Sequence, residues 1–245
     1  MRRKVFRYQQ IDSTNSEASR LINEGKITGN TFVVSDSQAN GKGRGSHAWN
    51  SERGMNLLMS WVIQPAFLSV GAQFQLSKTV SLAITNLLET FDLSSSIKWP
   101  NDILCSGRKV AGILIENRIA GEQLQHSIVG IGLNINQRDF PDFQTPATSM
   151  CLETNTEFSL SVVESSLMDL LEAGYRELEQ RFTKSIDSRY LQRLYMLNKT
   201  CEFSDGKSVF KGTIRGVDEK GQLLVETPKQ KGVFGYGFHE ISMVI

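Results

Sequence analysis

The chain has 245 residues, room for one large domain or a large domain with a small companion, and too few for a multidomain assembly. Its 27 lysines and arginines stand against 26 aspartates and glutamates, so a net charge of +1 supplies no long-range field for gathering polyanions, and any attraction for anions must be local. A hydrophobic share of 40% with only 5 prolines excludes a disordered or collagen-like chain.

The N-terminus opens with Arg2, Arg3, Lys4 and Arg7, but the polar stretch from Tyr8 to Ser19 stands where an export signal would need its apolar core. The cluster is too short for a nucleic-acid module and reads as a solvated strand edge. Ser13-Thr14-Asn15-Ser16-Glu17 reads as a helix start, with Thr14 as cap and Glu17 reaching back to it, followed by an apolar stripe of Ala18, Leu21 and Ile22 and a stop at Gly25. Thr31 to Ser35 and Met55 to Ile63 read as buried strands on either side of a glycine-rich loop from Asn40 to Ser46. From Ala72 to Phe91, Leu76, Val80, Ala83, Ile84, Leu87 and Leu88 recur at helical spacing.

Short β-type segments follow at Ile97 to Trp99, Asp102 to Cys105, Lys109 to Glu116 and Gln125 to Gly132, divided by turn residues. Helices over Leu160 to Gln180 and Ile186 to Leu197 would cover one face of the resulting mixed or antiparallel sheet. From Cys201 the pattern becomes short alternating strands, which suggests a small β-barrel. The expected organisation is therefore an α+β domain over 1–197 and a β module over 198–245. Cys105, Cys151 and Cys201 lack any C-x-x-C spacing, which favours a reducing compartment, and the chain reads as cytoplasmic. No apolar run approaches the roughly 20 residues that cross a bilayer, so no membrane role is expected.

Four segments could carry chemistry. Gly41-Lys42-Gly43-Arg44-Gly45-Ser46 is either a basic surface loop or a close-approach loop for a phosphate or carboxylate; its spacing fits neither a Walker loop nor a dinucleotide fingerprint. Lys98-Trp99-Pro100-Asn101-Asp102 is either a core tryptophan followed by a turn, or a site whose Asp102 meets a phosphate-bound magnesium ion. In Arg108 to Glu116, Lys109 stands at a strand start, where lysine is usually solvated, and Gly112 leaves one face open. Gly130 to Asn136 combines strand glycines with Asn134 and Asn136, which either match an adenine edge or close a bulge with a polar turn. His47, His126 and His239 are isolated and are excluded from catalysis.

Taken in order, Ser13-Thr14-Asn15, Gly41 to Arg44 with Trp49 and Asn56-Leu57, Lys98 to Asp102, Lys109 to Leu114 with Glu116, and Gly130 to Asn134 resemble the motifs of the biotin–protein ligases. The resemblance implies a class II synthetase-like sheet-and-helix catalytic domain with a small SH3-like barrel after it. It also implies an ATP-dependent reaction in two steps: biotin is first activated as biotinyl-5'-AMP, and biotin is then passed to a lysine of a biotin carboxyl carrier protein domain. ATP with Mg2+ and biotin are the expected ligands. By the same resemblance, Lys109, Arg44 and Asp102 are the catalytic group, since both reactants of the first step are anions and need positive charge between them.

The resemblance further assigns biotin binding to Ser13, Thr14, Asn15, Gln38, Gly41, Lys42, Gly43, Arg44, Lys109, Gly112 and Gly130, with Ser13, Thr14 and Gln38 on the ureido ring and Asn15 behind them. It assigns ATP binding to Lys42, Arg44, Trp49, Lys98, Asn101, Asp102, Lys109 and Asn134, with Trp49 and Asn134 at the adenine and Asp102 near magnesium. Lys42 stands where the family more often has arginine, and Gly45-Ser46-His47 departs from a glycine followed by a basic residue. Some family members carry an N-terminal DNA-binding domain; here the catalytic pattern starts at once, so no DNA binding is expected. An exposed sheet edge would permit a homodimer, to which no residue commits. A lipoate–protein ligase and a non-catalytic binding protein are the rival readings. The first would leave the Ser13, Thr14 and Gln38 set without a ureido partner, and the second would leave the phosphate-facing charges unexplained.

Overall fold

A computed structural model describes residues 3–45, 47–141, 145–228 and 230–244; Arg2 and Ser46, singled out above, lie outside them. Strands β1 (Lys4–Tyr8), β2 (Thr31–Ser35), β3 (Leu57–Ile63), β4 (Ser96–Lys98), β5 (Asp102–Cys105), β6 (Arg108–Ala120) and β7 (Gln123–Leu133) form one sheet in the order β1-β2-β3-β7-β6-β5-β4. Only β1 and β2 run parallel; the other neighbours are antiparallel. Helices α1 (Thr14–Asn23), α2 (Phe74–Glu89), α3 (Met150–Thr154), α4 (Leu160–Glu179) and α5 (Thr183–Gln192) accompany it. Strands β8 (Thr200–Ser204), β9 (Val209–Val217), β10 (Leu223–Thr227), β11 (Gln230–Tyr236) and β12 (Ser242–Val244) make a second, antiparallel sheet in the order β11-β10-β9-β8-β12. The fold is thus the expected α+β arrangement with a separate C-terminal sheet.

The period-two alternation of strands divides the first sheet into unlike faces. Phe32 and Val34 of β2 and Leu57, Met59, Trp61 and Ile63 of β3 join Leu76, Val80, Ile84, Val163, Leu167 and Leu171 of α2 and α4 in the main core. Val33 and Val62 point the other way and meet only Ala18 and Leu21 of α1 with a few neighbours. The C-terminal sheet adds Phe203, Ile214, Leu223 and Val225 to the main core, Ile241 joins them just ahead of β12, and Trp99 Nε1 donates to the Gly221 carbonyl at 2.9 Å across the junction. No helix among the described residues is long and apolar enough to cross a membrane.

Three local expectations are corrected. Helix α1 has no capping box: Ser13 is the N-cap and makes no side-chain cap bond. Thr14 lies buried against Ser60, while the Glu17 carboxylate accepts from the Tyr8 hydroxyl at 2.6 Å and from Arg20 Nε at 2.8 Å, so tertiary partners displace the local motif. The last helix runs over Thr183–Gln192, earlier than its apolar spacing suggested, and the short α3 had no apolar period to announce it. The N-terminal cations are not merely solvated. Arg3 makes a forked pair with Glu172 of α4 at 3.1 and 2.8 Å, and Arg7 pairs with Glu164 at 2.9 and 2.6 Å, tying edge strand β1 to the helix layer.

Burial raises the Glu172 carboxyl, but bonds from Arg3 and Asn30 outweigh it and hold the group below its ordinary 4.5. A depressed folded value means stability that is present above pH 4.5 and lost as pH falls through the folded value. Replacing Glu172→Gln should therefore cost about 1–3 kcal/mol at neutral pH. In denaturant titrations the gap from wild type should close as acid protonates the carboxylate, and a gap independent of pH would contradict this assignment.

Candidate active site

Direct cross-strand partners share a face of a sheet. The register Leu58, Gly132, Gly112, Asp102, Lys98 therefore lays five residues in one row across β3, β7, β6, β5 and β4, on the face away from α2 and α4. Two residues along, Ser60, Gly130 and Leu114 form a second row. Three of these eight positions lack a Cβ, and two side chains use the space. A Cβ on Gly132 would stand 2.2 Å from Trp49 Cε2 and one on Gly112 2.9 Å from Trp49 Cζ3; on Gly130 it would stand 2.5 Å from Asn15 Oδ1. Trp49 and Asn15 thus rest on bare backbone.

Above this floor lies a cavity of about 240 Å³. Its neutral pole is built by the start of α1. Ser13, Thr14 and Asn15 are each less than 5% exposed; the Thr14 N–H donates to Gln38 Oε1 at 2.7 Å, and Asn15 Nδ2 donates to Glu116 Oε2 at 2.7 Å and to the Leu114 carbonyl at 3.3 Å.

The charged pole depends on a bulge. The register of β5 against β6 slips between Ile103, opposite Ala111, and Leu104, opposite Lys109, so Val110 is the extra residue. Val110 and Ala111 both enter the main core, and Lys109, which regular alternation would send there too, is re-aimed into the cavity. Of the two readings open for Lys109, the solvated strand-start lysine is thus not the one found; it lines the cavity. Bonds from Lys109 N to the Pro146 carbonyl at 2.7 Å and from Thr148 N to the Lys109 carbonyl at 2.9 Å stitch the bulge to the following segment. Lys109 Nζ then lies 2.7 Å from Asp102 Oδ1, as a charge contact without hydrogen-bond alignment, and 5.5 Å from the centre of the Trp49 ring.

Lys98 donates to Thr145 Oγ1 at 3.1 Å, and burial lowers its pKa against the pull of Asp102. Burial likewise lowers the Arg44 pKa, with Asp102 again opposing. Arg44 Nη2 donates to the Phe238 carbonyl, its guanidinium lies 5.9 Å from the centre of the Phe238 ring, and Nη1 is buried without a partner. Among the described residues lining the cavity, Lys42, Arg44, Lys98 and Lys109 face one carboxylate, Asp102. That excess suits an anion with more than one negative charge.

Ser13, Thr14, Asn15, Gln38, Lys42, Gly43, Arg44, Trp49, Lys98, Asn101, Asp102, Lys109, Gly112 and Gly130 all line this one cavity. Two expected residues do not. Gly41 serves the loop's own fold: Trp49 N donates to its carbonyl at 2.9 Å, and a Cβ there would stand 2.3 Å from the Trp49 carbonyl oxygen. Asn134 donates to the Thr148 carbonyl at 3.0 Å while its Oδ1 has no partner, so its amide braces the segment behind Lys109. Asn101 lines the cavity but spends its amide N–H on the Ile113 carbonyl at 3.0 Å. Sequence reasoning missed Ser60 and the C-terminal Phe203, Leu223, Ile241 and Met243; only the last four line the cavity, and no local pattern marks any of the five.

A Gly132→Ala change should push Trp49 off the strip. Of the 3 tryptophans, Trp61 and Trp99 are buried and Trp49 is half-buried, so collisional quenching by acrylamide should rise. Overpacking should also cost about 1–3 kcal/mol of stability. Unchanged quenching would show that the indole does not rest there.

Residues 7–134 match the family described as Biotin/lipoate A/B protein ligase. The chain is 31% identical over 227 residues to the bifunctional ligase/repressor BirA of Bacillus spizizenii, covering 91% of this chain and 69% of that one. It is 29% identical to the biotin–[acetyl-CoA-carboxylase] ligase of Paracoccus denitrificans, covering 91% and 95% respectively. Among solved structures it resembles the biotin protein ligase of Aquifex aeolicus in complex with biotin and ATP, with a TM-score of 0.81, 26% identity and 98% of both chains covered.

Proposed function

The chain belongs to the biotin/lipoate A/B protein ligase family, and from that membership and the cavity's chemistry we infer how it works. It is an ATP-dependent ligase that forms biotinyl-5'-AMP and transfers biotin to a lysine of a biotin carboxyl carrier domain. The observation that carries the residue-level reading is the union, in one cavity, of a neutral hydrogen-bonding pole at Thr14 and Gln38 with a cationic pole at Lys109 and Arg44.

In the first step a biotin carboxylate oxygen attacks the α-phosphorus of ATP, and the bond to pyrophosphate breaks as the new one forms. Both reactants are anions, and the phosphorus gathers extra negative charge as it becomes five-coordinate. Lys109 is the cation we place between them; in the free enzyme Asp102 neutralises it, and the α-phosphate would compete for it on binding. Arg44, with an unpartnered Nη1 and a fixed Nη2, is suited to hold the adenylate. In the second step the carrier's amine attacks the acyl carbon, AMP leaves with the bonding electrons, and the amine's proton passes to solvent or to Asp102.

Magnesium would arrive with the nucleotide. Among the described residues no group of three or more His, Cys, Asp or Glu could hold an ion unaided, and Asp102 is the one carboxylate lining the cavity, so the phosphates must supply most of the ligands. The ureido ring, with two N–H donors and a carbonyl, fits the neutral pole, whereas lipoate's ring has no hydrogen to offer it. Unpaired Cys105, Cys151 and Cys201 support a reducing, cytoplasmic setting.

Incubation with MgATP, a carrier domain and either biotin or lipoate, followed by mass measurement of the carrier, tests the reading. Addition of biotin is expected, and preferential addition of lipoate would overturn it. Replacing Lys109→Ala should lower the rate of pyrophosphate release about 10²–10³-fold while biotin affinity changes far less. Equal losses in both would remove Lys109 from the transition state.

A further inference from the structure

We propose that Ser60 and Glu116 are positioning residues that fix the direction of a hydrogen-bond relay, so that the Thr14 hydroxyl can only accept from a ligand. The proposal rests on the biotin reading above and extends it to the basis of ring recognition.

The direction follows from donor and acceptor chemistry. The Leu114 carbonyl and the Glu116 carboxylate only accept, so both hydrogens of Asn15 Nδ2 are committed to them, at 3.3 and 2.7 Å. The amide cannot turn over without facing oxygen to oxygen, and Asn15 Oδ1 is left toward Ser60 Oγ at 2.6 Å. Ser60 is fully buried and owns one hydroxyl hydrogen, which the acceptor-only Oδ1 takes. Ser60 Oγ is placed to donate to Thr14 Oγ1 as well, at 2.7 Å, but it has a single hydrogen; with that hydrogen taken by Oδ1, the contact to Thr14 is bonded only when the Thr14 hydroxyl turns its own hydrogen toward Ser60. The Thr14 backbone N–H is already given to Gln38 Oε1 at 2.7 Å. Thr14 therefore turns only lone pairs toward the cavity it lines.

An acceptor so fixed welcomes a ring N–H and repels a ring oxygen. If Thr14 were free to rotate, it would donate to that oxygen and the distinction would fade. Selection of the ring thus originates at Glu116, on the far side of Asn15 from Thr14.

The test uses the intact enzyme and biotin-dependent ATP–pyrophosphate exchange, with biotin and two analogues in which each ureido N–H in turn is replaced by a ring oxygen. Wild type should reject one analogue by at least about a hundredfold in kcat/KM, as expected when a site's acceptor loses its donor. Ser60→Ala frees the Thr14 hydrogen; it should raise the biotin KM about tenfold and shrink the discrimination by about tenfold or more, while the ATP KM stays within about twofold. Glu116→Lys, at an exposed position, puts a donor where the shorter of the two Asn15 acceptors stood and should act in the same direction, carrying the test if Ser60→Ala does not fold. Glu116→Gln keeps an acceptor and should restore most of the discrimination. Variants that discriminate as wild type does would overturn the relay. A wild type that does not use biotin would instead overturn the reading on which it rests.

Discussion

The site depends on a stretch of sheet from which side chains have been removed. Gly112 and Gly132 face each other across β6 and β7, with Gly130 two residues away, so the floor is peptide backbone. Any side chain there would collide with the Trp49 ring or the Asn15 amide, both of which must lie low for the cavity to exist. The opposite face of the same strands carries Ala111, Ile113, Val129, Ile131 and Leu133, packed beneath α2 and α4. Strand alternation thus separates two tasks, with one face anchoring the sheet and the other presenting flat backbone to a ligand.

That floor also arranges the charges. Asp102 and Lys98 continue the glycine row toward the sheet edge, and the bulge adds Lys109 beside them. Burial strips hydration from Lys98 and Arg44 and so lowers the pKa of both, and at Lys98 the neighbouring charge of Lys109 adds to the effect. Asp102 offsets part of this cost, standing in for the anion that the cavity is shaped to receive. A bound phosphate would relieve the remainder, including the unpaired Nη1 of Arg44.

Much of this was legible in the chain. The strands from Ile97 to Gly132 announce themselves by β-type residues between turn dipeptides, and the glycine, lysine and aspartate clusters that line the cavity fall where the motifs are densest. What could not be read has a physical cause in each case. The bulge at Val110 is one additional residue in a strand, with no compositional trace, yet it alone turns Lys109 inward. The local pattern Thr14 to Glu17 satisfies every rule for a capping box, but Ser60 and Tyr8, distant in sequence or lying outside the helix, bind those side chains instead. Arg3 and Arg7 look solvated because their partners Glu172 and Glu164 lie more than 150 positions away. Part of the cavity lining comes from the C-terminal region, whose Phe203 in β8 and Ile241 just ahead of β12 carry no pattern beyond that of ordinary core residues.

A ligand platform made of peptide groups has an evolutionary corollary. Enlarging or reshaping it by substitution is barred, because every replacement for glycine adds bulk and none removes it. Drift toward a different vitamin or a different activated acid would have to proceed through the surrounding loops and the C-terminal lining, leaving the underlying strands as the invariant element shared by descendants with divergent appetites.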